Sequence, residues 1–248
     1  MSEEAENPWR RPLEHPALGE REIHIWRAAL DVSPAEMERM RDMLSTEEDR
    51  QAERFLTQAP RRRFIVARGI LRLLLGRYLD LSPRSIAFVH GPHGKPYLAP
   101  GCPLDISFNI SHSAAIALFA FARDREVGID VEQVRSDVEI EQLAERFYSP
   151  RESSAILALP PDLRNDAFFT CWVRKEAFLK AVGKGIAYGL DRVEVFRSPL
   201  EPLPARVELK VPDDPSPWRV LTLHPGAGFK GALVTRGEDW EEVLWEFG

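Results

Sequence analysis

The strongest constraint on the fold is an order of signals that occurs twice. Ser45-Thr46-Glu47-Glu48 and Ser149-Pro150-Arg151-Glu152 are both capping boxes. In such a box the serine hydroxyl accepts from a free amide of the first helical turn, and the glutamate accepts from the serine's own amide. A long run with helical spacing follows each box. Phe64, Ala67, Ile70, Leu71, Leu74 and Leu75 keep one face apolar and predict a helix over about 61–80. A second helix is predicted over about 163–183, and a glycine and then a strand follow each one. Laying Trp172–Val182 over Phe64–Leu74 matches Arg72 with Lys180 and Arg68 with Glu176.

The shorter elements fit the same two-part order. Strands are expected near 22–29, 86–89, 105–110 and 116–122, with a further helix start at Ser33-Pro34-Ala35-Glu36. In the second half a strand at 127–132 and a helix at 139–147 precede the long helix. Strands near 191–196, 206–210, 218–224 and 229–235 follow it. The expected fold is α+β: a pseudo-dimer of two similar subdomains, each a small antiparallel sheet packed with a long helix. The subdomains would span 22–123 and 124–248, joined near Phe121–Glu126, with residues 1–21 a mobile arm. A cleft between such halves is a natural ligand site.

Composition narrows the classes of function. The 248 residues are 44% hydrophobic and 29% charged, as in an ordinary globular chain, and no apolar run reaches the length of a membrane span. The first fourteen residues lack the apolar core of a signal peptide. Cys102 and Cys171 are the only cysteines, so no disulfide framework is implied and a cytoplasmic location fits. A net charge of −6 speaks against nucleic acid as a partner.

Chemistry concentrates in two acidic motifs. In Val127-Gly128-Ile129-Asp130-Val131-Glu132, strand periodicity sends Asp130 and Glu132 to one face while Ile129 and Val131 enter a core. Gly128 leaves room for another backbone or a ligand. In Trp172-Val173-Arg174-Lys175-Glu176-Ala177-Phe178-Leu179-Lys180, Glu176 and Lys180 share a helix face within a heavily apolar segment. Lys175 lies about 100° further round, where it would reach another part of the same ligand. An isolated Asp-x-Glu is ordinarily a solvent-facing strand edge, and an isolated Glu-x-x-x-Lys an ordinary surface pair. Three carboxylates at one point need a cation, because buried ionised groups must be paired or bind metal. Asn109-Ile110-Ser111-His112-Ser113 offers donors for phosphate oxygens, and His90-Gly91-Pro92-His93-Gly94-Lys95-Pro96-Tyr97 is a turn whose amides and lysine suit an anion. His90 and His93 read as loop residues. Three readings remain open here: a group-transfer enzyme, a metal-dependent nucleotide pyrophosphate hydrolase, and a non-catalytic carrier-binding protein.

Taken in order, these motifs resemble the 4′-phosphopantetheinyl transferases of the pseudo-dimeric, surfactin-synthetase-activating type. The resemblance is carried by Gly94–Tyr97, Phe108–Ser113, Val127–Glu132, Arg146–Ser149, Phe169–Lys180 and Gly183-Lys184-Gly185. It implies transfer of 4′-phosphopantetheine from coenzyme A to a serine of an apo acyl or peptidyl carrier protein, with magnesium required. It places Asp130, Glu132 and Glu176 on Mg²⁺, and makes Glu176, Lys180 and His112 the catalytic group. It puts Lys95, Pro96, Ser111, His112, Arg63, Lys175 and Lys180 along coenzyme A, and gives Glu152 a supporting role. One departure stands out: Gln51 occupies a position where the family usually has a basic contact, and Arg50 and Arg54 flank it as substitutes. An internal pseudo-dimer completes its cleft within one chain, so a monomer is expected.

Overall fold

The computed structural model describes residues 8–185, 188–195, 206–211 and 214–248. The chain opens with strand β1 (Glu22–Ala29), followed by helices α1 (Pro34–Arg41), α2 (Thr46–Glu53) and α3 (Gln58–Leu79). A short hairpin, β2 (Phe88–His90) and β3 (Pro96–Leu98), leads into β4 (Ile106–Ser113), β5 (Ile116–Arg123) and β6 (Val127–Gln133). Then come α4 (Ile140–Phe147), α5 (Pro150–Leu157), α6 (Pro161–Val182), and strands β7 (Arg206–Val211), β8 (Asp214–Leu223), β9 (Phe229–Arg236) and β10 (Glu241–Phe247). The class is α+β, as expected. The stretch expected as strand at 191–196 instead holds a 3₁₀ turn at Leu190–Arg192, and residue 196 lies outside the described residues.

Two four-stranded sheets carry the architecture, in the orders β10-β1-β5-β4 and β6-β9-β8-β7. Their inner faces meet in one core. Ile23, Ile25, Leu118 and Ala120 of the first sheet pack with Val127, Ile129, Val131 and Leu233 of the second. Ile129 and Val131 therefore do enter a core, and it is one that both sheets share. On its outer face each sheet has a core of its own. Leu71, Leu74 and Leu75 of α3 contribute to one, and Phe168, Ala177 and Phe178 of α6 to the other.

The long helices sit at a constant offset of 103 residues: 58 to 161 at the start, 79 to 182 at the end, 80 to 183 at the left-handed cap. This differs from the overlay of Trp172–Val182 on Phe64–Leu74, which runs five residues further along. The reason is a pair of buried cations. Glu48 of the first capping box receives Arg72 at 2.5 Å, and Arg72 also donates to the carbonyls of Pro83 and Ile86. Glu152 of the second box receives Lys175 at 2.7 Å, and Lys175 donates to the carbonyls of Leu190 and Val193. Each cation thus ties a capping box to the 3₁₀ turn beyond its helix.

Two further features depart from the expected division of the chain. β10 pairs in parallel with β1, from Glu22 opposite Glu241 to Ala28 opposite Phe247. The end of the chain thus completes the first sheet, which a cut at 123/124 does not anticipate. The segment expected as an arm to residue 21 is docked from Trp9 onward. The Trp9 indole is buried and donates to the carbonyl of His224 at 3.1 Å, and Arg10 bridges to Trp245. The buried indole and its hydrogen bond offset part of the conformational entropy lost on fixing this stretch.

Candidate active site

The site forms where β4 lies beside β6, at the seam between the sheets. Alternate residues of β4 face β6 and bond to it. Asn109 Oδ1 accepts from the Ile129 amide at 2.8 Å, Ser111 Oγ donates to Asp130 Oδ1 at 2.7 Å, and Ser113 Oγ donates to Glu132 Oε2 at 2.7 Å. The period of two along both strands makes this ladder possible. The motif Asn109–Ser113 was expected to bind phosphate directly. Two of its hydroxyls instead hold the carboxylates, and this positioning by Asn109 and Ser113 had a sequence signal, the i, i+2, i+4 spacing of short polar residues.

Helix α6 closes over the same strand. At Gly128 a Cβ atom would overlap the carbonyl oxygen of Ala177 and the backbone nitrogen of Ala181. The glycine therefore admits another backbone, and that approach brings Glu176 and Lys180 to the carboxylates of β6. Lys180 Nζ lies 2.6 Å from Asp130 Oδ1 and 2.8 Å from Ser111 Oγ.

Two buried carboxylate oxygens, Asp130 Oδ2 and Glu176 Oε1, have no hydrogen-bond partner among the described residues. Burial raises the Glu176 pKa above the ordinary value, Asp130 and Glu132 push it the same way, and Lys180 opposes them. Glu132 is also raised, chiefly by burial, with Ser113 opposing. Orphaned, electrostatically strained oxygens fit a divalent cation with oxygen preference, which keeps much of its shell as water and phosphate. Among the described residues, no three His, Cys, Asp or Glu side chains are gathered tightly enough to cage a metal by themselves.

Next to the carboxylates is a cavity of about 220 Å³, whose walls include Lys95, Pro96, Asn109, Glu176, Lys180 and Gly183. Lys95 lines it with its stem, while its ammonium donates to the carbonyls of Val127 and Ala181 at 3.2 and 3.1 Å. Burial lowers its pKa to about 8. A second cavity, about 260 Å³, is bordered by Phe64, Arg68, Ser111, His112 and Lys180. The His112 ring opens to solvent, yet desolvation in the cleft lowers its pKa, and Lys180, Arg68 and Arg63 add to the effect.

Several expected site residues lie elsewhere. Lys175 does not reach the cleft. Its side chain is 1% exposed and its ammonium is enclosed by Glu152 and two carbonyls, because the capping-box glutamate requires a buried partner. Glu152 is likewise wholly buried and bonds the amides of Ser149 and Val195. Arg63 is held in a two-pronged pair by Asp31, 3.0 Å at each prong. Arg50 and Arg54 are exposed, and among the described residues their side chains form no hydrogen bond or ion pair. Arg68, which the expectations left out of the site, borders it.

Known proteins share this pattern. Residues 126–234 match the model of the 4′-phosphopantetheinyl transferase superfamily, and residues 28–123 match that of the 4′-phosphopantetheinyl transferase N-terminal region. The 4′-phosphopantetheinyl transferase HetI of Nostoc sp. is 37% identical over 227 residues, 91% of this chain and 92% of its own length. A putative 4′-phosphopantetheinyl transferase of Synechocystis sp. is 35% identical, covering 82% of this chain and 79% of its own. The transferase Sfp of Bacillus subtilis is 31% identical, covering 86% and 91%. The chain belongs to the 4′-phosphopantetheinyl transferase superfamily. No helix among the described residues is long and apolar enough to cross a membrane.

Proposed function

We propose that this cleft moves 4′-phosphopantetheine from coenzyme A to the serine of an apo acyl or peptidyl carrier protein and releases adenosine 3′,5′-bisphosphate. One observation carries the reading: in a chain of this family, carboxylates from β6 and α6 meet Lys180 at a cleft where two buried carboxylate oxygens are unpartnered. In the reaction the serine oxygen bonds to the β-phosphorus. The bond from that phosphorus to the bridging oxygen breaks, and the electron pair leaves with the nucleotide. The serine proton passes to a base.

Asp130, Glu132 and Glu176 are the residues that would hold magnesium, which when bound neutralises the pyrophosphate and orients it for in-line displacement. Glu176 is the candidate base, because burial raises its affinity for a proton and one oxygen is free. Lys180 supplies positive charge where the leaving phosphate develops negative charge. Before substrate arrives it also shields Asp130, at 2.6 Å, from the neighbouring carboxylates. Ser111 and Ser113 position the two carboxylates of β6. Lys95 and Pro96 form the wall for the nucleotide, and His112 faces its phosphate. The recurrence of one capping box, one buried cation and one 3₁₀ turn in each half supports a pseudo-dimer of two subdomains about the seam. A cleft completed within one chain supports a monomer.

The test is incubation with coenzyme A, Mg²⁺ and several apo carriers, followed by mass spectrometry. One added phosphopantetheine per carrier is the expected product. Cleavage of coenzyme A with the carrier unmodified overturns transfer in favour of hydrolysis.

A further inference from the structure

A separate cavity lies away from the cleft. Its volume is about 490 Å³, larger than either cavity beside the carboxylates, and it shares no wall residue with them. That volume suits a small organic ligand. The cavity adjoins the crossing of α1 and α3. At Gly69 a Cβ atom would overlap Met40, so the two helices touch there. Leu73 and Arg77 follow Gly69 at successive turns of α3 and line the cavity. On α1, Glu36 and Arg39 stand one turn apart and line it too. The buried Trp26 and the half-buried Phe247 add aromatic surface, and residues 11–15 of the docked arm close another side.

The charges in this wall are of both signs, and several are unused. Glu246 is taken by Arg27 at 3.0 Å and by Arg11 at 4.0 Å. Glu36, Arg39 and Arg77 are not taken: among the described residues their side chains make no hydrogen bond or ion pair. Glu36 and Arg39 stand open although their spacing is one that ordinarily pairs opposite charges. Arg77 lies 5.9 Å from the Phe247 ring centroid, and burial lowers its pKa against the pull of Tyr78. An arginine stays charged in proteins, so a partly desolvated one holds a cation open to an incoming anion. Helix dipoles favour each sign where it stands, Glu36 in a first turn and the two arginines in last turns. They do not account for an apolar floor beside those charges.

We propose that this cavity is a second ligand site, separate from the catalytic cleft, and that it takes a free apolar α-amino acid. A guanidinium presents a planar fork that fits both oxygens of a carboxylate, which assigns that group to Arg39 and Arg77. The ammonium falls to Glu36, and Glu14 of the arm is a further carboxylate in the wall. Amine and carboxylate share one carbon in such a ligand, so they need opposed charges that are near neighbours, as Glu36 and Arg39 are. Trp26, Met40, Leu73 and Phe247 receive the side chain. An anion lacking the amine would leave Glu36 unanswered, and an amine lacking the carboxylate would leave the arginines so.

Calorimetric titration of phenylalanine into the intact protein tests this without turnover. Two analogues accompany it: 3-phenylpropionate, which lacks the amine, and phenethylamine, which lacks the carboxylate. Phenylalanine should bind with a Kd below about 1 mM, and each analogue about tenfold more weakly or worse, the loss of a charge-assisted hydrogen bond. Arg39→Gln with Arg77→Gln should cut the preference over phenethylamine to within about threefold, a small part of that contribution, and keep the preference over 3-phenylpropionate. Glu36→Gln should do the reverse. These side chains bond nothing among the described residues, so the variants should melt close to the wild type. Leu73→Trp fills the cavity, keeps every charge and should abolish binding by itself. Saturating adenosine 3′,5′-bisphosphate should leave the phenylalanine affinity unchanged. Absence of phenylalanine binding overturns the proposal, as does equal binding of the three compounds. Preferences unaltered in the charge variants, or full binding by Leu73→Trp, overturn it too. Displacement by the bisphosphate would put the ligand in the catalytic cleft and remove this site.

Discussion

Lys175 and Glu152 lie 2.7 Å apart, nitrogen to oxygen, with their side chains 1% and 0% exposed. Cysteine Cys171 is sealed in beside them, its thiol 3.9 Å from Glu152. The pair fastens α5 to α6 and to the turn beyond, so the surface on which Glu176 stands depends on it. Breaking a buried pair at one end leaves the other charge uncompensated, at a cost of about 3–5 kcal/mol. Lys175→Met should lower stability by about that much in urea denaturation. Glu152→Gln with Lys175→Met should recover part of the loss. Folded Lys175→Met should bind coenzyme A with unchanged KM. A raised KM at full stability would return Lys175 to the ligand.

Glu176→Gln should lower kcat by about 10²–10⁴, the usual range for loss of a general base, while leaving the fold intact. Removing an unpartnered buried oxygen charge should leave the melting temperature unchanged or raised. Metal linkage separates the two duties of this residue. Saturating Mg²⁺ with coenzyme A stabilises the wild type through binding, by about 2.7 kcal/mol at a hundred times Kd. In Glu176→Gln and Asp130→Ala that increment should shrink, and a chelator should abolish it in the wild type. An increment unaltered by both substitutions removes these residues from the metal.

Gly128→Ala inserts a methyl group between β6 and α6, against backbone atoms of Ala177 and Ala181. Backbone cannot rotate aside as a flexible side chain does. The expected loss is about 3 kcal/mol, the upper end for overpacking. Transfer activity should fall further than stability predicts, because Asp130 and Glu176 are pushed apart. Equal stability of variant and wild type in urea would refute this packing account.

Lys95 gives a pH signature. Burial lowers its pKa from 10.5 to about 8, with Glu126 opposing. Between those two values the unfolded chain binds the proton that the folded chain has released. Stability from this group therefore rises as pH increases from about 8 towards 10.5, and the penalty of the buried ammonium is full below about 8. Comparing wild type with Lys95→Met across that range should show the difference changing in this direction. A constant difference would contradict it.

Local signals were the legible ones. Helical spacing located α3 and α6 to within three residues, serine caps marked the starts of α1, α2 and α5, and strand alternation put Asp130 and Glu132 on one face with Ile129 and Val131 in the core. The polar rhythm of Asn109, Ser111 and Ser113 was equally readable, but its meaning depended on which strand lay opposite. Lys175 misled because its neighbour Glu176 faces the cleft, and one step along a helix turns a side chain by about 100°. The buried Glu48–Arg72 pair, at the matching offset in the first half, was the clue to its fate. Arg68 looked like one more cation in an arginine-rich helix. Its place at the border of the cleft is a property of the folded neighbourhood, which no local pattern encodes.

The parallel pairing of Glu22–Ala28 with Glu241–Phe247 also orders events in time. On the ribosome, the outer edge of β1 stays open until β10, more than 200 residues further along, has emerged. Antiparallel pairing with β5 can form much earlier, so the nascent first sheet waits with its β1 edge exposed. That interval is when the chain is most open to edge-to-edge association. Arrival of β10, rather than completion of the β1, β4 and β5 pairing, is the event that covers the β1 edge.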